Sequence, residues 1–239
     1  MWTIVLSAFM FFINYALQIP FAVFILVVAP LFLVIFTYGS FRYSFRESIT
    51  PEPVPLKGYD SRISDLEMAS ADVFGLGFVK KDSFYLKTIP DSVNYVFMHK
   101  SEPVYLYIHH FGGTKKSPVY MTFFDGDIEL STISSASGGM IPRPEKKLVQ
   151  VFEGNSFEEL LREHLRAVDF IKGRHIKPWH MPHETLKSNF KKRYREVGEH
   201  VRRFLFWPLR LIWWTVTQRG KLHKRSIEEQ VSFGMIKWL

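Results

Sequence analysis

Apolar and polar positions divide the chain into stretches of different period. From position 1 to 41 no side chain is charged, and 2–38 is almost wholly apolar. A membrane-spanning helix needs about 20 apolar residues, and the apolar core of a signal peptide only about 7–15. The run exceeds both and has no basic start, so it predicts a retained membrane anchor over 1–41. Pro20 splits it into 2–18 and 21–38. Asn14, Gln18 and Pro20 fit the bend of a helical hairpin. The other arrangement is one kinked span, with 21–38 crossing and 1–18 in the interface. Thr3, Ser7, Asn14 and Gln18 share one helical face, which suits helix–helix contact in lipid or an interfacial position.

Residues 42–60 carry Pro51, Pro53, Pro55 and Gly58 and read as an extended linker. A short helix is predicted over 61–74, ended by Gly75 and Gly77. The period then changes. Runs rich in Val, Ile, Tyr and Phe at 84–88, 94–98, 104–111, 119–124, 128–133 and 147–152 read as strands separated by turns. Asp125-Gly126 between two of them signals a two-residue hairpin loop. Ser156 with Glu159 makes a capping box, and Phe157, Leu160, Leu161, Leu165, Val168 and Ile171 form the apolar face of a helix ending at Gly173. The predicted fold class is α+β. An N-terminal transmembrane anchor is followed by an antiparallel β-meander domain flanked by helices over 61–174, then a basic, Trp-rich amphipathic helical region over 175–239.

Charge changes the picture at two places. Arg42, Arg46, Lys57 and Arg62 follow the anchor and no basic residue precedes it, so the positive-inside tendency places the rest of the chain on the cytoplasmic side. The net charge of +8 is local: 191–225 holds eleven Lys/Arg against Glu196 and Glu199, or +9, leaving −1 for the remainder. A charged helix from 187 to 203 is expected to run on through Phe204 to Trp214. Its interfacial residues are Arg202, Arg203, Trp207, Arg210, Trp213 and Trp214, because clustered Lys/Arg with amphipathic aromatics suits anionic lipid. Nucleic acid is the weaker alternative for this basic stretch and is not predicted as a partner. The chain has no cysteine, which excludes disulfides, zinc–thiolate sites and thiol nucleophiles.

Candidate chemistry is thin. His175, His180 and His183 lie within nine residues but at no ligand spacing, and His109-His110 form a pair. Asp125 and Asp127 flank Gly126 and read as turn residues; a carboxylate pair for acid–base work or Mg²⁺ is the alternative. The 112–117 loop lacks Walker spacing, and Ser134, Ser135 and Ser137 lack a nucleophile-elbow frame. No catalytic residue, cofactor or metal is predicted.

The run from Tyr120 through Asp125, Gly126 and Asp127 to Thr132, followed by a Pro-containing loop and Phe157-x-x-Leu-Leu-x-x-His164, resembles a set of uncharacterised bacterial proteins with an apolar N-terminal anchor. The similarity covers about 75–170 and implies an anchored α+β domain, with no activity attached. The expectation is a non-catalytic membrane-anchored accessory protein, a subunit of a membrane complex with a cytoplasmic domain. Its partners would be anionic lipid and other membrane subunits. The alternative is a membrane-associated enzyme acting on a lipid or polar substrate, for which His109, His110 and Asp125 would have to converge in a pocket.

Overall fold

The computed structural model describes residues 30–32, 34, 35, 38, 50–55, 57–87, 92–111, 116–135, 141–182, 185–204, 206–217, 221 and 223–239. The chain divides into two compact units, Met1–Tyr43 and Ser44–Leu239. In the first, the described residues are helical. Among the described residues no helix is long and apolar enough to cross a membrane. The expected anchor over 1–41 lies mostly outside them.

The second unit is α+β. Its elements are α1 (Asp60–Gly75), β1 (Phe78–Leu86), β2 (Ser92–His99), β3 (Tyr105–Phe111), β4 (Lys116–Phe124), β5 (Ile128–Ile133), β6 (Lys147–Val151), α2 (Phe157–Lys172), β7 (Pro178–Trp179), α3 (Leu186–Arg202), α4 (Trp207–Val216) and α5 (Ile227–Ser232). The strands form one sheet in the order β1-β2-β3-β4-β5-β6, and β7 pairs with β4. β3 leaves β4 after Tyr105↔Met121, and β7 joins β4 further along, at Phe123 and Phe124.

Strand alternation sorts the side chains between two helical layers. Leu106 and Ile108 turn to the face covered by α1 and α2, where Leu66, Val73, Leu160 and Leu161 join them. Tyr105 and Tyr107 turn to the opposite face, where Leu186 and Phe190 of α3 pack with Phe84, Met121 and Phe123. Further along, Leu130 and Leu148 meet Ala167, Val168 and Ile171 of α2 and Ile227 of α5. α2 starts on the expected capping box: Ser156 Oγ accepts from the Glu159 amide at 3.2 Å, and Glu159 accepts from the Ser156 amide at 2.8 Å. Such caps contribute about 1 kcal/mol. Ser226 and Glu229 repeat the device at α5.

Four expectations change. The sheet is a meander only as far as β5, because β5 and β6 pair in parallel and run in the same direction. The Asp125-Gly126 hairpin forms, but its loop is three residues long, since Phe124 pairs with Ile128. Gly126 (φ 74°) and Asp127 (φ 61°) are both left-handed, so Asp127 is part of the turn. The continuous basic helix is broken after Arg202. Pro208, in the first turn of α4, has no N–H to donate back into a preceding helical turn, so the helix starts afresh there. Finally, residues beyond 174 supply core side chains on both faces of the sheet, including Phe190 and Ile227.

Candidate functional site

The buried polar groups of the sheet fall into clusters on its two faces. On the α3 face, the strand register aligns Asn94 with His109 and His109 with Ser117. His109 Nδ1 contacts Asn94 Oδ1. The Asn94 amide also donates to the carbonyls of Phe84 (3.3 Å) and Ser92 (3.2 Å). The His109 ring lies 6.3 Å from Tyr107 and 6.1 Å from Phe190, centroid to centroid. Burial, with Arg193 adding to it, pushes the His109 pKa down to about 4, so the ring is neutral near pH 7.

Beside it on the same face, Glu129 of β5 is buried. Arg193 Nε of α3 donates to it at 2.7 Å and Lys147 Nζ of β6 at 3.2 Å. Lys147 also reaches Glu196 of α3 at 3.1 Å. Burial alone would raise the Glu129 pKa, but the charges of Arg193 and Lys147 outweigh it and hold the carboxyl below its ordinary value. Glu129 therefore stays ionised and ties α3 to two strands.

On the other face His164 of α2 is fully buried. Its Nε2 lies 2.9 Å from Thr122 Oγ1 and its Nδ1 2.8 Å from Thr132 Oγ1. A hydroxyl can donate or accept, so a neutral imidazole is matched at both nitrogens. Gln150 Nε2 donates to Thr132 Oγ1 at 2.8 Å, and Gln150 Oε1 accepts from the Ile227 amide at 3.1 Å. Burial pushes the His164 pKa down to about 3. At the sheet's end His110 Nε2 meets Asp65 Oδ2 of α1 at 2.9 Å, and this hydrogen bond lowers the Asp65 pKa. The Glu129, His164 and His110 clusters each join a helix to a strand, and the His109 cluster joins one strand to the next, a structural use of polar chemistry.

His109 and His110 face opposite layers, with partners Asn94 and Asp65. Asp125 is exposed in the β4–β5 loop. The register pairs His109 with Ser117, eight positions before Asp125 on β4, which is about 27 Å at strand rise. The three residues do not converge. His175 and His180 are exposed, while His183 lies outside the described residues, as do 112–115 and Ser137. Ser134 and Ser135 lie in a half-buried bend. No three His, Asp or Glu side chains group as a metal site among the described residues.

Sequence reasoning missed His164, Glu129, Arg193 and Asn94. A signal existed for His164: it lies four positions after Leu160 and seven after Phe157, on the apolar stripe of its helix.

The residues expected at a membrane interface separate into two groups. Trp207 is 8% exposed and Trp214 packs on His223 at 5.1 Å, so both turn inward. Arg202, Arg203 and Trp213 are exposed, and Arg210 lies over the Phe204 ring at 3.1 Å. Phe206 and Leu209, which sequence reasoning did not single out, are exposed too. The basic stretch is also not one surface. Arg193 faces the sheet, Arg195 pairs with Glu199 at 2.8 Å, and Lys224 pairs with Glu153 at 2.5 Å. No protein-family model, curated protein or solved structure matches this chain.

Proposed function

We propose that this chain is a non-catalytic accessory protein, held at a membrane by residues 1–41, with its α+β unit on the cytoplasmic side as a subunit of a membrane complex. The anchor reading rests on 41 uncharged positions, and the orientation on Arg42, Arg46, Lys57 and Arg62 after them. One structural observation favours interaction over reaction. The polar groups drawn into the interior, His109, Glu129 and His164, are each engaged in joining a helix to the sheet or one strand to the next. Anionic lipid and other membrane subunits are the partners this reading implies, and nucleic acid is not among them.

A reporter fused after Leu239 tests the orientation. It should be active in the cytoplasm and silent outside, and strong activity in an external-side reporter overturns the topology. Purification in mild detergent should bring down other membrane subunits in fixed ratio. Loss of function in Asp125→Asn with an intact fold would give Asp125 a chemical role and overturn the non-catalytic reading.

A further inference from the structure

We propose that the outer side of α4 is the surface that seats the α+β unit on the headgroup layer of an anionic bilayer. The inference rests on the reading that residues 1–41 hold the chain at a membrane. Phe206 is 69% exposed, Leu209 53% and Trp213 69%. Leu209 and Trp213 are four positions apart, about 40° around a helix, and Phe206 caps the same side one turn earlier. The opposite side is fixed: Trp207 is buried and Trp214 packs on His223. The apolar face is therefore carried by a held helix, not by a loose tail.

Charge selects the occupant. From position 200 to 217, the stretch that carries the patch, there is no acidic side chain, while Arg202, Arg203 and Arg210 are basic. Arg202 and Arg203 are exposed just before the patch. A second copy of this chain meeting the patch symmetrically would bring one basic stretch against another. A layer of lipid phosphates and carboxylates matches it, and amphipathic aromatics settle at that depth.

The chain has no cysteine, so single-cysteine labelling can be done on the full-length protein. Leu209→Cys would carry an environment-sensitive fluorophore, with exposed Glu158→Cys on α2 as the reference. Each is reconstituted into vesicles of phosphatidylcholine, with or without phosphatidylserine, containing nitroxide-labelled lipid. The label at 209 should be quenched with phosphatidylserine, and less so without it, in high salt, or after Arg202→Gln with Arg203→Gln. The label at 158 should stay unquenched throughout. If 209 is as unquenched as 158 while the protein survives an alkaline wash of the vesicles, the docking surface is wrong and the anchor stands. If the wash strips the protein off, the anchor reading fails, and the inference built on it fails too. Equal quenching with and without phosphatidylserine overturns the anionic requirement. Shielding that vanishes as protein is diluted in lipid assigns the patch to a second copy and overturns the proposal.

Discussion

Helices α3 and α4 are consecutive, and both carry arginine among aromatic side chains, yet the apolar face of α3 is buried and that of α4 is largely exposed. α3 turns Leu186, Phe190, Val197 and Val201 inward, and all four are buried. Phe190 packs on Phe84 at 5.0 Å and on Tyr107 at 5.9 Å. Its Arg193 reaches Glu129 across the same interface. α4 buries Trp207 and leaves Leu209 and Trp213 to the outside. Amphipathic spacing alone predicts an apolar stripe on both helices. It does not say whether the stripe meets the chain's own sheet or something beyond it. The buried ion pair marks the difference, because an arginine aimed inward needs a carboxylate waiting for it.

The comparison makes its largest claim at α3. Phe190→Ala should destabilise the unit by about 3–5 kcal/mol, the range for a large aromatic removed from a core. Glu129→Ala should cost a similar amount, about 3–5 kcal/mol, because it leaves Arg193 and Lys147 partly buried without their carboxylate. Denaturant unfolding measures both. If either substitution changes stability by less than about 1 kcal/mol, α3 is not a core helix, and the contrast with α4 disappears.

Acid should act on the same interior. His164 and His109 have folded pKa values of about 3 and about 4. The unfolded value is about 6.5. The unfolded chain therefore takes up protons first as pH falls. Stability is full above about 6.5 and is lost progressively toward the folded values, by on the order of 1–2 kcal/mol per histidine at pH 5. Glu129, with a lowered pKa, adds a loss in the same direction at lower pH. His164→Leu should flatten part of this slope even where it lowers stability at pH 7. An unchanged slope in that variant would show that His164 does not carry it.

Most of the sheet was legible because β2 to β5 are runs rich in Val, Ile, Tyr and Phe and their turns carry Asp, Gly and Pro. The capping box at Ser156 was legible for the same kind of local reason. What was not legible depends on distant chain. Glu129 and Ser131 are polar positions on β5, and nothing local marks them as buried. They are interior only because α3, some 60 residues later, covers them, as Arg193 to Glu129 records. The parallel pairing of β6 is a long-range choice, and the composition between β5 and β6 only says loop. Pro208 was a visible breaker, but the aromatics on both sides of it kept the helical period intact across the gap.

The β4–β5 hairpin lies outside both helices and calibrates effects of middle size. Gly126→Val puts a β-branched residue at φ 74° and should cost about 1–2 kcal/mol. Asp125→Asn should stay within about 0.5 kcal/mol, because Asn serves the same turn. A large loss in Asp125→Asn would mean that the carboxylate makes a bond the turn geometry does not require.

The smallest effect is the sharpest test of the comparison. Trp213 is a large aromatic, and in a core its removal would cost several kcal/mol. At 69% exposure it has little contact to lose within the unit. Trp213→Ala should therefore change unfolding stability in detergent-free solution or in mild detergent by no more than about 0.5 kcal/mol, and Leu209→Ala likewise. Trp207→Ala, six positions earlier on the same helix and 8% exposed, should cost about 3 kcal/mol or more. The three variants share a helix and a residue class, so helix propensity cannot explain a split between them. If Trp213→Ala destabilises as much as Trp207→Ala, the outer side of α4 already packs against this chain. The two helices would then be alike, and no outside surface would be needed to cover the patch.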